Sequence, residues 1–109
     1  FSGIITFEDV IRHKPFPDAY KLALKLSKKA DVNCLAIEDS SIGVEAAIAA
    51  NLNCLLTLPP WSSSNQVISK KANACVTTLG SGNKPSKLIY GNELISKYVN
   101  FEYLANIIN

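Results

Sequence analysis

Apolar residues in this chain fall into short continuous runs separated by stretches with a three-to-four-residue rhythm, which predicts repeated strand-helix units. A short strand around Ile4 to Thr6 comes first, and a helix from about Asp18 to Lys29 follows. Ala19, Leu22, Ala23 and Leu26 fall on one face of that helix, while Lys21, Lys25, Lys28 and Lys29 occupy the other as a solvated face. Cys34 to Ile37 has the length of a buried strand. It leads into a helix over about Ile42 to Asn51 that Ser40 or Ser41 can cap. Gly43, Ala47 and Ala50 share one side of this helix, so its backbone can approach a sheet closely. Asn53 to Leu58 reads as the next strand and delivers Pro59, Pro60 and Trp61 to its end. Ser62 to Ser64 read as caps for a helix near Asn65 to Lys71, followed by a strand over Ala74 to Thr77. Gly80 to Ser86 is a turn; beyond Gly91-Asn92 the pattern predicts an edge segment near Tyr98-Val99 and an amphipathic helix over Phe101 to Ile108. The order predicts the α/β class: a parallel sheet with flanking helices, in one domain over residues 1–109.

Composition bounds what such a domain can do. With 109 residues, 48% hydrophobic and 18% charged, the chain can build one small core. A net charge of +2 is too small to argue for nucleic acid or an anionic membrane as partner. There is no transmembrane-length apolar run and no basic start of a secretory signal, which points to a cytoplasmic protein. Cys34, Cys54 and Cys75 sit in or beside strand-like runs and read as reduced core thiols. They show no Cys-x-x-Cys spacing, and the only histidine is His13, so a cysteine-based metal site is disfavoured.

The chemistry is concentrated in two clusters. Glu38 and Asp39 stand where the Cys34–Ile37 strand ends, and open α/β sheets bind ligands outside the carboxyl ends of their strands. Adjacent carboxylates repel when both are ionised, and a cation relieves the repulsion. Magnesium suits them because it takes hard oxygen ligands and needs only one or two protein carboxylates beside water and substrate phosphate. The plainer alternative is an acidic start to the following helix. The second cluster, His13-Lys14-Pro15-Phe16-Pro17-Asp18, puts Lys14 on a proline-stiffened loop 24 positions before Glu38. An ammonium held there can serve a phosphate or a carboxylate; alone it would be an ordinary solvated lysine.

Together, Lys14-Pro15-x-Pro17-Asp18 and Glu38-Asp39-Ser40-x-x-Gly43-x-x-Ala46-Ala47 resemble the third and fourth motifs of the haloacid dehalogenase superfamily. The resemblance is closest to the branch of phosphoglycolate phosphatases, β-phosphoglucomutases and CbbY-like sugar-phosphate phosphatases. It implies a Rossmann-like core and a magnesium-dependent phosphoryl transfer on a small phosphorylated metabolite. Lys14 would be the catalytic lysine that steadies the phosphate and the nucleophile, Glu38 and Asp39 the metal pair, and Ser40 a substrate-binding residue. The superfamily's nucleophile comes from an Asp-x-Asp loop, and no such pair occurs among Asp9, Asp18, Asp31 and Asp39. The resemblance therefore implies the distal part of a catalytic core, lacking the amino-terminal nucleophile strand and the cap that selects substrate, and inactive alone. An incomplete sheet would leave an edge or core face open to self-association. The alternative is a non-catalytic metal- or partner-binding module on the same scaffold. A receiver-type signalling domain is disfavoured, because there the acidic pair precedes the lysine.

Overall fold

The computed structural model describes residues 10–27, 34–58 and 70–108. The expected strand at Ile4 to Thr6, the end of the first helix at Lys28 and Lys29, the Pro59-Pro60-Trp61 segment, the Ser62–Ser64 caps and most of the Asn65–Lys71 helix lie outside them. The elements in order are α1 (Asp18–Ser27), β1 (Leu35–Glu38), α2 (Ser41–Ala49), β2 (Asn53–Thr57), β3 (Ala74–Val76), β4 (Leu88–Tyr90) and α3 (Phe101–Ile108). The strands form one sheet in the order β1-β2-β3-β4. The first three run parallel, with Glu38 opposite Leu56 and Leu56 opposite Cys75, while β4 returns antiparallel. This is the expected Rossmann-like arrangement of a mainly parallel sheet with flanking helices.

Side chains alternate across a strand with a period of two, and the core divides accordingly. Ala36, Cys54, Leu56 and Cys75 pack with Val44 and Ala47 of α2 on one face. Leu55, Ala74 and Val76 pack under Tyr103 and Ile107 of α3 on the other. The same alternation places Glu38, two residues after Ala36, on the α2 face, where it is buried.

Local chemistry fixes the ends of α2. Ser40, in extended geometry, accepts a hydrogen bond from the Gly43 amide at 3.1 Å and so caps the first turn. At the other end the Asn51 amide reaches the Ile48 carbonyl and the Leu52 amide the Ala47 carbonyl, with Asn51 at φ +61°. That pairing is a Schellman motif, which uses up carbonyls the helix leaves free. In α3, Asn100 accepts from the Tyr103 amide at 2.9 Å, and the Tyr103 hydroxyl donates to the Asn92 carbonyl at 2.7 Å, tying the helix over the sheet.

Three expectations need correction. The edge segment is not Tyr98-Val99 but Leu88–Tyr90, which pairs with β3; Val99 instead donates one backbone hydrogen bond to Leu79. The face of α1 that meets the core carries Tyr20 and Leu24, not the Ala19-Leu22-Ala23-Leu26 stripe, and Leu26 is 61% exposed. Both stripes have helical spacing, and only the neighbouring α2 and sheet decide which is covered. Glu38 belongs to the end of β1 and not to the loop after it.

Candidate functional site

The site is assembled at the carboxyl end of β1 by three local devices. Lys14 leaves the loop before α1, where the Lys14-Pro15 peptide is cis and the Phe16 amide donates to the His13 carbonyl at 3.0 Å. Arg12 braces this loop. Its guanidinium donates to both Asp18 carboxylate oxygens, at 2.9 and 3.3 Å, and lies 4.7 Å from the centre of the Phe16 ring. Such a forked contact fixes direction as well as distance. Arg12 holds the Asp18 carboxyl below its usual range through that hydrogen bond.

Across this loop stands Glu38. Its Oε1 accepts from the Lys14 ammonium at 2.6 Å and also from the Tyr20 hydroxyl. The Lys14 nitrogen lies 5.4 Å from the centre of the Tyr20 ring, within range of a cation-π contact. Behind the carboxylate lies Gly43, where a Cβ would stand 1.8 Å from Glu38 Oε2 and 2.3 Å from its Cδ. The position admits no side chain while the carboxylate is seated there. The Glu38 main chain is fixed as well, since the Thr57 hydroxyl donates to its carbonyl at 3.3 Å.

Burial and charge are unevenly shared. The Glu38 side chain is 5% exposed and that of Lys14 40%, so the acid is fixed and the ammonium faces outward. Burial first, and then the hydrogen bond to Glu38, push the Tyr20 phenol well above its ordinary range, so it remains a donor. The Cys54 thiol, buried on the same face, is pushed up to about 12 by burial and by the Glu38 charge.

Of the residues expected from sequence, Lys14 and Glu38 meet directly. Asp39 follows at the bend and is exposed. Ser40 sits beside them with its oxygen engaged in capping α2, leaving its O–H free to donate. Tyr20 was not foreseen; for Gly43 a close approach to the sheet was expected, but not that the Glu38 carboxylate itself fills the space. Their signals were a tyrosine six residues past Lys14 on the helix and a glycine five past Glu38.

The donor set fits magnesium, which asks for few protein oxygens. Asp39, next in the chain after Glu38, is exposed, and Glu38 Oε2 carries neither the Lys14 nor the Tyr20 hydrogen bond. Among the described residues no group of three or more His, Cys, Asp or Glu side chains is assembled.

A family model described as haloacid dehalogenase-like hydrolase matches residues 1–57, just over half of the chain and both motifs. The chain belongs to the haloacid dehalogenase-like hydrolase family. Within this family, it is 40% identical over 57 residues to the protein CbbY of Rhodobacter capsulatus, covering 52% of this chain and 25% of that protein. It is 46% identical over 50 residues to the bifunctional riboflavin kinase/FMN phosphatase of Arabidopsis thaliana, covering 46% of the chain and 13% of that protein. A crystal structure of CbbY from Rhodobacter sphaeroides in complex with phosphate superposes with a TM-score of 0.56 at 29% identity, covering 62% of this chain and 29% of that one. The chain thus spans about a quarter or less of the length of these curated relatives. Among the described residues no helix is long and apolar enough to cross a membrane.

Proposed function

We propose that this haloacid dehalogenase-like chain serves a magnesium-dependent phosphatase acting on a small phosphorylated metabolite, of the sugar-phosphate class. The observation that carries the reading is the meeting of Lys14 and Glu38 at 2.6 Å, with Asp39 exposed beside them at the end of a parallel strand. A phosphorylated substrate brings negative charge to this edge, and the exposed Lys14 ammonium turns to its oxygens. Glu38 and Asp39 would hold magnesium, which would supply Lewis-acid polarisation of the phosphoryl group. Ser40 adds a hydroxyl donor at the start of α2, where the positive end of the helix dipole favours an anion. Phosphate in the CbbY structure and the FMN phosphatase relative support an anionic phosphorylated ligand.

The sequence holds no Asp-x-Asp pair to supply a nucleophile, so the isolated chain provides the electrostatic half of the reaction and turns nothing over. The test is magnesium titration by calorimetry, together with hydrolysis of an aryl phosphate, on the 109-residue chain and on Asp39→Asn. Weak magnesium binding that is lost in Asp39→Asn, with no turnover in either, is expected. Equal magnesium binding by both proteins overturns the metal assignment. Magnesium-dependent turnover by the parent chain shows that a nucleophile lies within it.

A further inference from the structure

A lysine that serves a phosphate has to give that phosphate some of its attention, and in this site it already has a partner. Glu38 is buried, and a buried carboxylate left without a donor is strongly unfavourable. If Lys14 were its sole donor, each turn of the ammonium toward an incoming anion would strand that charge. The geometry supplies a second donor on the same oxygen. The Tyr20 hydroxyl reaches Oε1 from α1, an element separate from the Lys14 loop, and the Tyr20 ring packs against the α2-side core.

We propose that Tyr20 is a positioning residue that keeps Glu38 seated when Lys14 turns from the carboxylate to a phosphate oxygen. The inference rests on the phosphatase reading above for the anion that Lys14 meets. The two donors differ in freedom. Lys14 stands on a 40% exposed flexible side chain, whereas Tyr20 has only two side-chain torsions and a ring wedged against packed residues. One can move while the other stays. Tyr20 serves Lys14 as well, since its ring lies 5.4 Å below the ammonium and attracts the cation without taking any of its N–H donors. Seating matters on the far side too, because a displaced carboxylate would no longer fill the space over Gly43.

The test substitutes Lys14→Met, which imitates departure of the ammonium, in combination with Tyr20→Phe, which keeps the ring and removes the hydroxyl. Unfolding of the full 109-residue chain is followed in urea for the parent, each single variant and the double. Each single change is expected to raise the unfolding equilibrium constant about tenfold or less, because the other donor remains. The double variant is expected to exceed the product of the singles by about tenfold or more, since only then is Glu38 abandoned. Simple additivity overturns the proposal. If the double variant fails to fold, adding Glu38→Gln restores folding under the proposal, and failure of the triple variant overturns it. A spectroscopic arm separates positioning from packing. The Tyr20 hydroxyl proton, assigned by its loss in Tyr20→Phe, remains a protected downfield resonance in Lys14→Met; its disappearance there overturns the proposal. None of these readouts uses magnesium or phosphate, so they stand or fall separately from the metal assignment tested with Asp39→Asn.

Discussion

Gly43→Ala offers a sharp test of how the site is packed, because the added methyl must take space that a buried carboxylate already fills. The new Cβ would stand 1.8 Å from Glu38 Oε2 and 2.9 Å from Oε1, far inside contact distance. The clashing atoms end a side chain that can rotate in principle. Here rotation means giving up Lys14 and Tyr20, which both hold Oε1. Hydrogen bonds to a charged group contribute about 1.5–3 kcal/mol each. The Lys14 share belongs at or below the lower end, because that side chain is 40% exposed and solvent screens it. The loss is therefore about 3 kcal/mol, from which alanine's helix propensity recovers about 1 kcal/mol over glycine. Net destabilisation of about 2 kcal/mol is expected, or a fall in melting temperature of roughly 10 °C for a domain of this size. Urea unfolding followed by circular dichroism measures it. The decisive control is the same substitution in a Glu38→Ala background, where nothing fills the space and Gly43→Ala should become neutral or stabilising by up to about 1 kcal/mol. A neutral effect in the parent background, or the same loss in both backgrounds, would refute the seating of Glu38 against Gly43.

Ser40→Ala removes the cap on the Gly43 amide and is expected to destabilise the chain by about 1 kcal/mol, with Ser40→Asn recovering most of it in the same urea assay. An unchanged midpoint in Ser40→Ala would mean that the cap is replaced by water. Alkaline pH probes the buried thiols, since burial raises Cys54 from 9.0 to about 12 and Cys75 from 9.0 to about 11. Both stay protonated in the folded state while the unfolded chain ionises, so their stabilisation is whole below pH 9 and is lost as pH rises toward 11 and 12. The slope is up to about 1.4 kcal/mol per pH unit for each thiol. Urea midpoints at pH 8, 9, 10 and 11 should fall, and less steeply in Cys75→Ala; a flat profile contradicts the burial of these thiols.

How much of the molecule was legible beforehand depends on how local each feature is. The last helix, Phe101–Ile108, was read to its ends from its apolar residues at helical spacing, and the structure adds an Asn100 cap. Strands β2 and β3 were legible as apolar runs, since buried parallel strands are apolar on both faces. The fourth strand of the described sheet was missed. Leu88–Tyr90 is three residues long and has an exposed side, so nothing in it distinguishes strand from loop until β3 offers its free edge. Tyr98-Val99 has equally good β-forming residues but is left with a backbone bond from Val99 to Leu79, and residue preference could not show which segment takes the edge.

For the site, the sequence by itself determined the residue types and their order: a lysine on a proline-stiffened loop, then an acidic pair at a strand end ahead of a small-residue helix. Those choices are local, because prolines, caps and apolar runs act within a few positions of themselves. The tertiary structure decided who touches whom. Alternation along β1 turned Glu38 inward, Asp39 stayed exposed at the bend after it, and the approach of α2 brought Gly43 against the carboxylate. The covered stripe of α1 brought Tyr20, rather than a residue of the Ala19-Leu22 face, to the same oxygen as Lys14. These contacts join residues 18 and 24 positions apart across separate elements, and their energy exists only once the elements are packed and water is excluded from Glu38.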